Sequence, residues 1–239
     1  MNRWFKWMLR ILTGILLVGL VGLVIVMSLS YEAMPESSKL LDESYVRIEE
    51  NVIVFEPEEA IANFVFYQGG LVTTDSYLVM AKALRDEGVR VFLPQMPLNL
   101  AIINRHAFDD IYRLFPSELP WYLGGHSLGA AASAYGADDR LEGLVLLAGY
   151  PPSSVDLSEA TFRVLSITAS HDEVLDKTTF ESRKALLPSQ TKYVHIDGGN
   201  HAYFGYYGEQ RGDGEAEISR EQQHNQFIAS MLAFMLDQD

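Results

Sequence analysis

The chain has 239 residues, 48% of them hydrophobic, with no cysteine and a formal net charge of −14 at pH 7. That length suits one domain with a full core, and the composition excludes a disordered chain. The lack of cysteine excludes disulfides, thiolate metal sites and a cysteine nucleophile, and the acidity disfavours nucleic acid and anionic lipid headgroups as binding partners.

The first thirty residues carry Arg3, Lys6 and Arg10 and no acid. Ile11 to Leu29, ILTGILLVGLVGLVIVMSL, is free of charge. At ~1.5 Å per residue the run reaches roughly 28 Å as a helix, close to the ~30 Å hydrocarbon core. Trp4 and Trp7 stand before it, where amphipathic rings favour an interface. The expectation is one N-terminal transmembrane helix within residues 1–30, its basic end in the cytoplasm and the rest of the chain on the extracytoplasmic side. A cleaved signal sequence is the alternative, since Ser28-Leu29-Ser30 is a small-x-small site, and cleavage would make the protein secreted. The run is longer than a usual signal core, which favours the anchor.

Residues 31–44, YEAMPESSKLLDES, are polar and read as a short linker. From Tyr45 to Asp239 the pattern is that of one domain. Strands are expected at 45–49, 52–56, 63–67, 89–93, 121–124, 143–147, 163–168 and 192–196. Several are apolar throughout, such as NFVFY and LVLL, as strands covered on both faces are. Helices are expected at 75–87, 108–115, 127–137, 178–187 and 218–236, from apolar spacing and from stops such as Gly88 and Pro188. The alternation indicates an α/β fold with a mostly parallel sheet. In such sheets ligands sit beyond the carboxyl ends of the strands, so functional residues should directly follow strands.

Ser127, in GGHSLGA, follows a strand and opens a helix. Glycines on either side leave room for a sharp turn that lifts the hydroxyl off the sheet, and the helix aims its first amides at the same place. A serine hydroxyl needs a base. His126 adjoins it on the backbone but should point elsewhere, His195 lies within the last strand, and His106 and His224 suit solvent-facing helix positions. His171 lies beside a better acid. His201, in the glycine-rich loop after the last strand, is the favoured base. The acid that orients it is Asp172, nearest the end of the strand at 163–168, with Glu173 and Asp176 as neighbours and Asp197 too close in sequence to bridge back.

GGHSLGA, SHDEVLD, GGNHAYFGYYGEQRGDG and the stretch from Phe64 to Ala101 together resemble the alpha/beta-hydrolase superfamily, most of all its compact bacterial branch without a large cap domain. The resemblance covers about residues 45–239 and leaves the N-terminal segment outside it. It implies the alpha/beta-hydrolase fold, a mostly parallel sheet of about eight strands flanked by helices, and acyl-transfer chemistry. Carried over, Ser127 is the nucleophile, Asp172 the acid and His201 the base. The oxyanion hole is formed by the amide of Leu128 and a second from Gly70 or Leu71. Tyr67-Gln68 stands where many members have proline or histidine.

The expected function is a serine hydrolase acting on carboxylic esters or related acyl bonds, with an acyltransferase or a non-catalytic binding protein as alternatives. No cofactor is called for, and no metal site, because no spacing of the H-E-x-x-H kind occurs. The short stretch between Leu147 and Arg163 leaves no room for a cap and predicts an open site. Leu98, Asn99 and Tyr203 are expected to touch substrate. Tyr150, Phe204, Tyr206 and Tyr207 either wall the pocket or pack their own loop. The loop 205–217 receives no role.

Overall fold

The computed structural model describes residues 3–236. The first unit is the helix α1 (Arg3–Ser28). Among the described residues, no helix is long and apolar enough to cross a membrane, which corrects the expected transmembrane helix. The helix begins inside the basic segment, at Arg3. Arg3, Lys6 and Arg10 therefore lie on the same helix as the apolar run. Of the expected span, positions 20, 21 and 23–27 lie outside the residues whose side chains are described.

The second unit begins at Tyr31. Residues 31–44 are not a free linker. They form α2 (Pro35–Ser38) and a 3-10 turn, Lys39–Asp42, that bury Ser37 and Leu40. Tyr31 exchanges backbone hydrogen bonds with Leu71 and Thr73, and Ser37 Oγ donates to the carbonyl of Asp75 at 2.6 Å. Composition alone made this stretch look loose, whereas its own backbone groups dock it.

The sheet contains β1 (Val46–Glu49), β2 (Val52–Phe55), β3 (Ala62–Tyr67), β4 (Val89–Pro94), β5 (Trp121–His126), β6 (Gly143–Leu147), β7 (Arg163–Ala169) and β8 (Lys192–Ile196). Their order is β1-β2-β4-β3-β5-β6-β7-β8. β1 and β2 form a hairpin turned by Glu50 and Asn51, both at positive φ, as a two-residue hairpin turn requires. β2 is antiparallel to β4, and every later pairing is parallel.

The remaining helices are α3 (Leu78–Asp86), α4 (Ala107–Leu114), α5 (Leu128–Gly136), α6 (Lys177–Arg183) and α7 (Arg220–Leu236). Alternation along β3 explains the two cores. Phe64 and Phe66 pack to one side with Leu78 of α3 and Phe227 and Met231 of α7. Val65 and Tyr67 pack to the other with Phe108 of α4 and Ala130 and Ala134 of α5. Each large side chain so buried contributes about 1.5–3 kcal/mol. β3 lies between β4 and β5, so the chain leaves it toward one edge and returns on its other side. Ligands of open α/β sheets bind at such a reversal.

Candidate active site

Ser127 stands between β5 and α5 with φ 54° and ψ −117°. A non-glycine residue at positive φ costs about 1–3 kcal/mol and persists only where its surroundings hold it. Here the Ser127 amide donates to Leu147 O at 2.9 Å, and its carbonyl accepts from Ala131 N at 3.2 Å. The turn is tight enough to demand glycine on both sides. A Cβ on Gly125 would lie 2.4 Å from the Gly129 carbonyl carbon, and one on Gly129 would lie 2.2 Å from Tyr67 O. The turn at Ser127 is therefore pressed onto the end of β3.

Asp172 and His201 are both buried, and their side chains meet at 2.8 Å, Oδ2 to Nδ1. A carboxylate only accepts, so Nδ1 carries the proton and Nε2 presents a lone pair. Asp172 Oδ1 accepts from the amides of Val174 and Leu175 at 2.9 and 2.8 Å, which fixes the carboxylate. His201 Nε2 is buried without a hydrogen-bond partner. Ser127 and His201 line one cavity of ≈ 270 Å³, together with Leu128, Tyr150, Val174 and Leu175. A larger cleft of ≈ 350 Å³ at Phe180, Lys184 and Tyr193 includes neither Ser127 nor His201.

The other acids have separate work. Asp176 caps α6 by accepting from Thr179 N at 2.9 Å, Glu173 pairs with Lys177 at 3.8 Å, and Asp197 is exposed. Among the other histidines, His195 Nδ1 bonds Thr168 Oγ1 at 2.9 Å and His171 faces Glu217 at 3.5 Å. His224 is buried rather than solvent-facing, because α7 turns it inward between Tyr206 and Phe227. Burial first, and the Arg220 charge second, pull its pKa down to about 3.

Leu128 opens α5, and the backbone of Gly70 packs on its side chain. The two amides proposed beside it differ. Leu71, at φ 58°, donates to Asn99 O at 2.8 Å and is already committed. Gly69 donates to Tyr77 Oη at 3.0 Å. Gly70 is the one amide of the three that is uncommitted among the described residues.

Leu98 and Asn99 do not line the cavity. They sit in the 3-10 turn Pro97–Asn99 at φ 56° and 55°. Asn99 braces the glycine loop instead, accepting from Gln68 Nε2 at 3.2 Å as well as from Leu71. Tyr203 is also elsewhere, stacked under the Arg220 guanidinium at 4.1 Å. Phe204 and Tyr207 belong to the core, so of the five aromatics only Tyr150 lines the cavity.

The loop 205–217 proves to be a staple. Asp213 Oδ2 accepts from Ala202 N at 2.8 Å, while Oδ1 accepts from Gly214 N at 2.9 Å and Glu173 N at 3.3 Å. Gln223 brackets Asn200 from the other side, accepting from its amide at 2.9 Å and donating to its carbonyl at 2.8 Å. These residues have no sequence signal of their own, apart from the glycines that flank Asp213. Among the described residues, no group of three or more His, Asp or Glu side chains is placed to hold a metal ion.

The profile of the Alpha/beta hydrolase family matches residues 63–225. Among curated proteins none matches the sequence. Est1E from Butyrivibrio proteoclasticus is 15% identical with a TM-score of 0.58, over 81% of this chain and 100% of that one. Carboxylesterase CesB from Bacillus subtilis is 12% identical with a TM-score of 0.62, over 90% and 98%. A thermophilic esterase from Thermogutta terrifontis is 11% identical with a TM-score of 0.58, over 81% and 94%. At these identities the likeness is one of fold, whereas the family match spans most of the chain: the protein is a member of the alpha/beta hydrolase family.

Proposed function

We propose that this hydrolase is a serine esterase that cleaves small carboxylic esters through an acyl-enzyme. The observation that carries the reading is the buried Asp172–His201 pair, at 2.8 Å, whose His201 lines the same cavity as Ser127. Ser127 Oγ attacks the ester carbonyl carbon while His201 Nε2 takes its proton. His201 Nε2 has no hydrogen-bond partner among the described residues, and catalytic hydrogen bonds often tighten only with substrate bound. The tetrahedral oxyanion is held by the amides of Leu128 and Gly70. Collapse expels the alcohol, which takes the proton from His201. Water then attacks the acyl-serine with His201 again as base, releasing the acid.

The lining suits a short, uncharged acyl group. A cavity of ≈ 270 Å³ is small, and its lining contains Asp176 but no lysine or arginine. The two neighbours named as a carboxylesterase and a thermophilic esterase point to the same class, although the fold alone hosts many reactions. The test is p-nitrophenyl butyrate turnover by wild type and by Ser127→Ala. Loss of turnover with an unchanged fold supports the reading, and activity retained by the alanine variant refutes it.

A further inference from the structure

His126 and Tyr77 are fully buried polar side chains that the mechanism above does not use. They form a chain. The amide of Gly69 donates to Tyr77 Oη at 3.0 Å, and Tyr77 Oη lies 2.8 Å from His126 Nδ1. The ring of His126 then rests against that of His201, with centroids 4.5 Å apart. One end of this chain is the loop that presents the Gly70 amide, and the other is the base.

Hydrogen-bond accounting fixes the protons. Tyr77 Oη accepts from the Gly69 amide, and its proton has no other acceptor than His126 Nδ1 among the described residues; donation there leaves only the His126 Nε2 proton unpaired, whereas the reverse would leave both the phenolic proton and the Nε2 lone pair unpaired. Nδ1 is then an acceptor, and the ring proton of His126 sits on Nε2. Burial keeps the ring neutral by lowering its pKa well below the ordinary 6.5, with the His201 charge acting in the same direction. A neutral neighbour does not repel the imidazolium that forms on His201 during attack. The contact at Gly69 is close: a Cβ there would lie 2.9 Å from Tyr77 Oη and 3.0 Å from His126 Nδ1.

We propose that Tyr77 and His126 are positioning residues that couple the Gly69–Gly70 loop to His201, so that the oxyanion-binding amide and the base are held in register by one buried chain. This rests on the esterase reading above. A displacement of about 1 Å in such a site costs on the order of 10²-fold in rate. The chain acts on the transition-state geometry, so its loss falls on kcat rather than on KM.

Three variants test it with p-nitrophenyl butyrate. Tyr77→Phe keeps the ring and removes the hydroxyl. His126→Leu and His126→Asn both remove the imidazole, but only asparagine offers an oxygen near the place of Nδ1. The expected result is a fall in kcat of about 10- to 100-fold for Tyr77→Phe and His126→Leu, with KM nearly unchanged, and recovery of about tenfold in His126→Asn relative to His126→Leu. Ring 1H–15N spectra of the wild type should show His126 protonated at Nε2, a readout that needs neither turnover nor a folded variant. Wild-type kcat in Tyr77→Phe, equal rates in the two His126 variants, or a proton on Nδ1 would each overturn the coupling. Absence of turnover in the wild type itself would instead remove the esterase reading, and the coupling with it.

Discussion

Asp213 accepts a hydrogen bond from the amide of Ala202, the residue that follows His201, at 2.8 Å. Its other oxygen reaches Glu173 N at 3.3 Å, one residue beyond Asp172. A single carboxylate from the loop 205–217 thus fastens the loop of His201 to the loop of Asp172. Asp213→Ala should lower kcat/KM by about 10- to 100-fold, since both partners lose their common anchor. Urea unfolding should show a loss of about 1.5–3 kcal/mol, the usual cost of hydrogen bonds to a charged group.

Asp172→Asn tests the tautomer of His201. The Val174 and Leu175 amides both donate to Oδ1 and will keep the oxygen of the new amide facing them. The NH2 group then faces His201 Nδ1 and donates to it. That drives the ring proton onto Nε2, the atom that accepts from Ser127 in the proposed reaction. Steady-state kinetics should show kcat reduced on the order of 10³–10⁴-fold, with the melting temperature little changed.

The backbone of Ser127, at φ 54°, predicts a stability difference between two inactive variants. Alanine keeps the strain of positive φ, and glycine relieves it. Relief of about 1–3 kcal/mol is offset by the roughly 0.5–1 kcal/mol that glycine adds to unfolded-chain entropy. At the middle of these ranges the net is about 1 kcal/mol, so Ser127→Gly should melt about 2–4 °C above Ser127→Ala in calorimetry.

The buried histidines set an acid limit on stability. The pKa of His224 falls from 6.5 to about 3 in the folded chain. Between those values the unfolded chain takes up a proton that the folded chain refuses. The contribution is complete above pH 6.5 and is lost as pH falls toward about 3, at ~1.4 kcal/mol per pH unit. His126, shifted in the same direction, adds to the slope. Urea unfolding at pH 7.5, 6 and 5 should show this decline, and His224→Leu should flatten it.

Much of this architecture is legible in the sequence for a simple reason. β3, β5 and β6 are buried along their whole length, so their apolar runs stand out, and the glycines around Ser127 answer a contact of 2.2 Å at Gly129. Asp172 and His201 directly follow strands, where this topology gathers side chains. Leu98 and Asn99 also follow a strand, but both have left-handed backbone, with Leu98 exposed and Asn99 bonded to Gln68 and Leu71. His224 was readable as buried, since Phe227 lies three residues on and shares its helix face. The docking of Tyr31 and the staple at Asp213 depend on backbone partners distant in sequence, which composition does not carry. The charge-free run at Ile11–Leu29 looked like a membrane span, and among the described residues no helix bears that out.

Whether Ser127 carries the acyl group is read by mass spectrometry of the enzyme quenched during turnover of p-nitrophenyl acetate. One acetyl group is expected, on the peptide containing Ser127, absent from Ser127→Ala. Steady turnover with an unmodified Ser127 peptide, or with the acetyl group on another residue, would contradict that assignment.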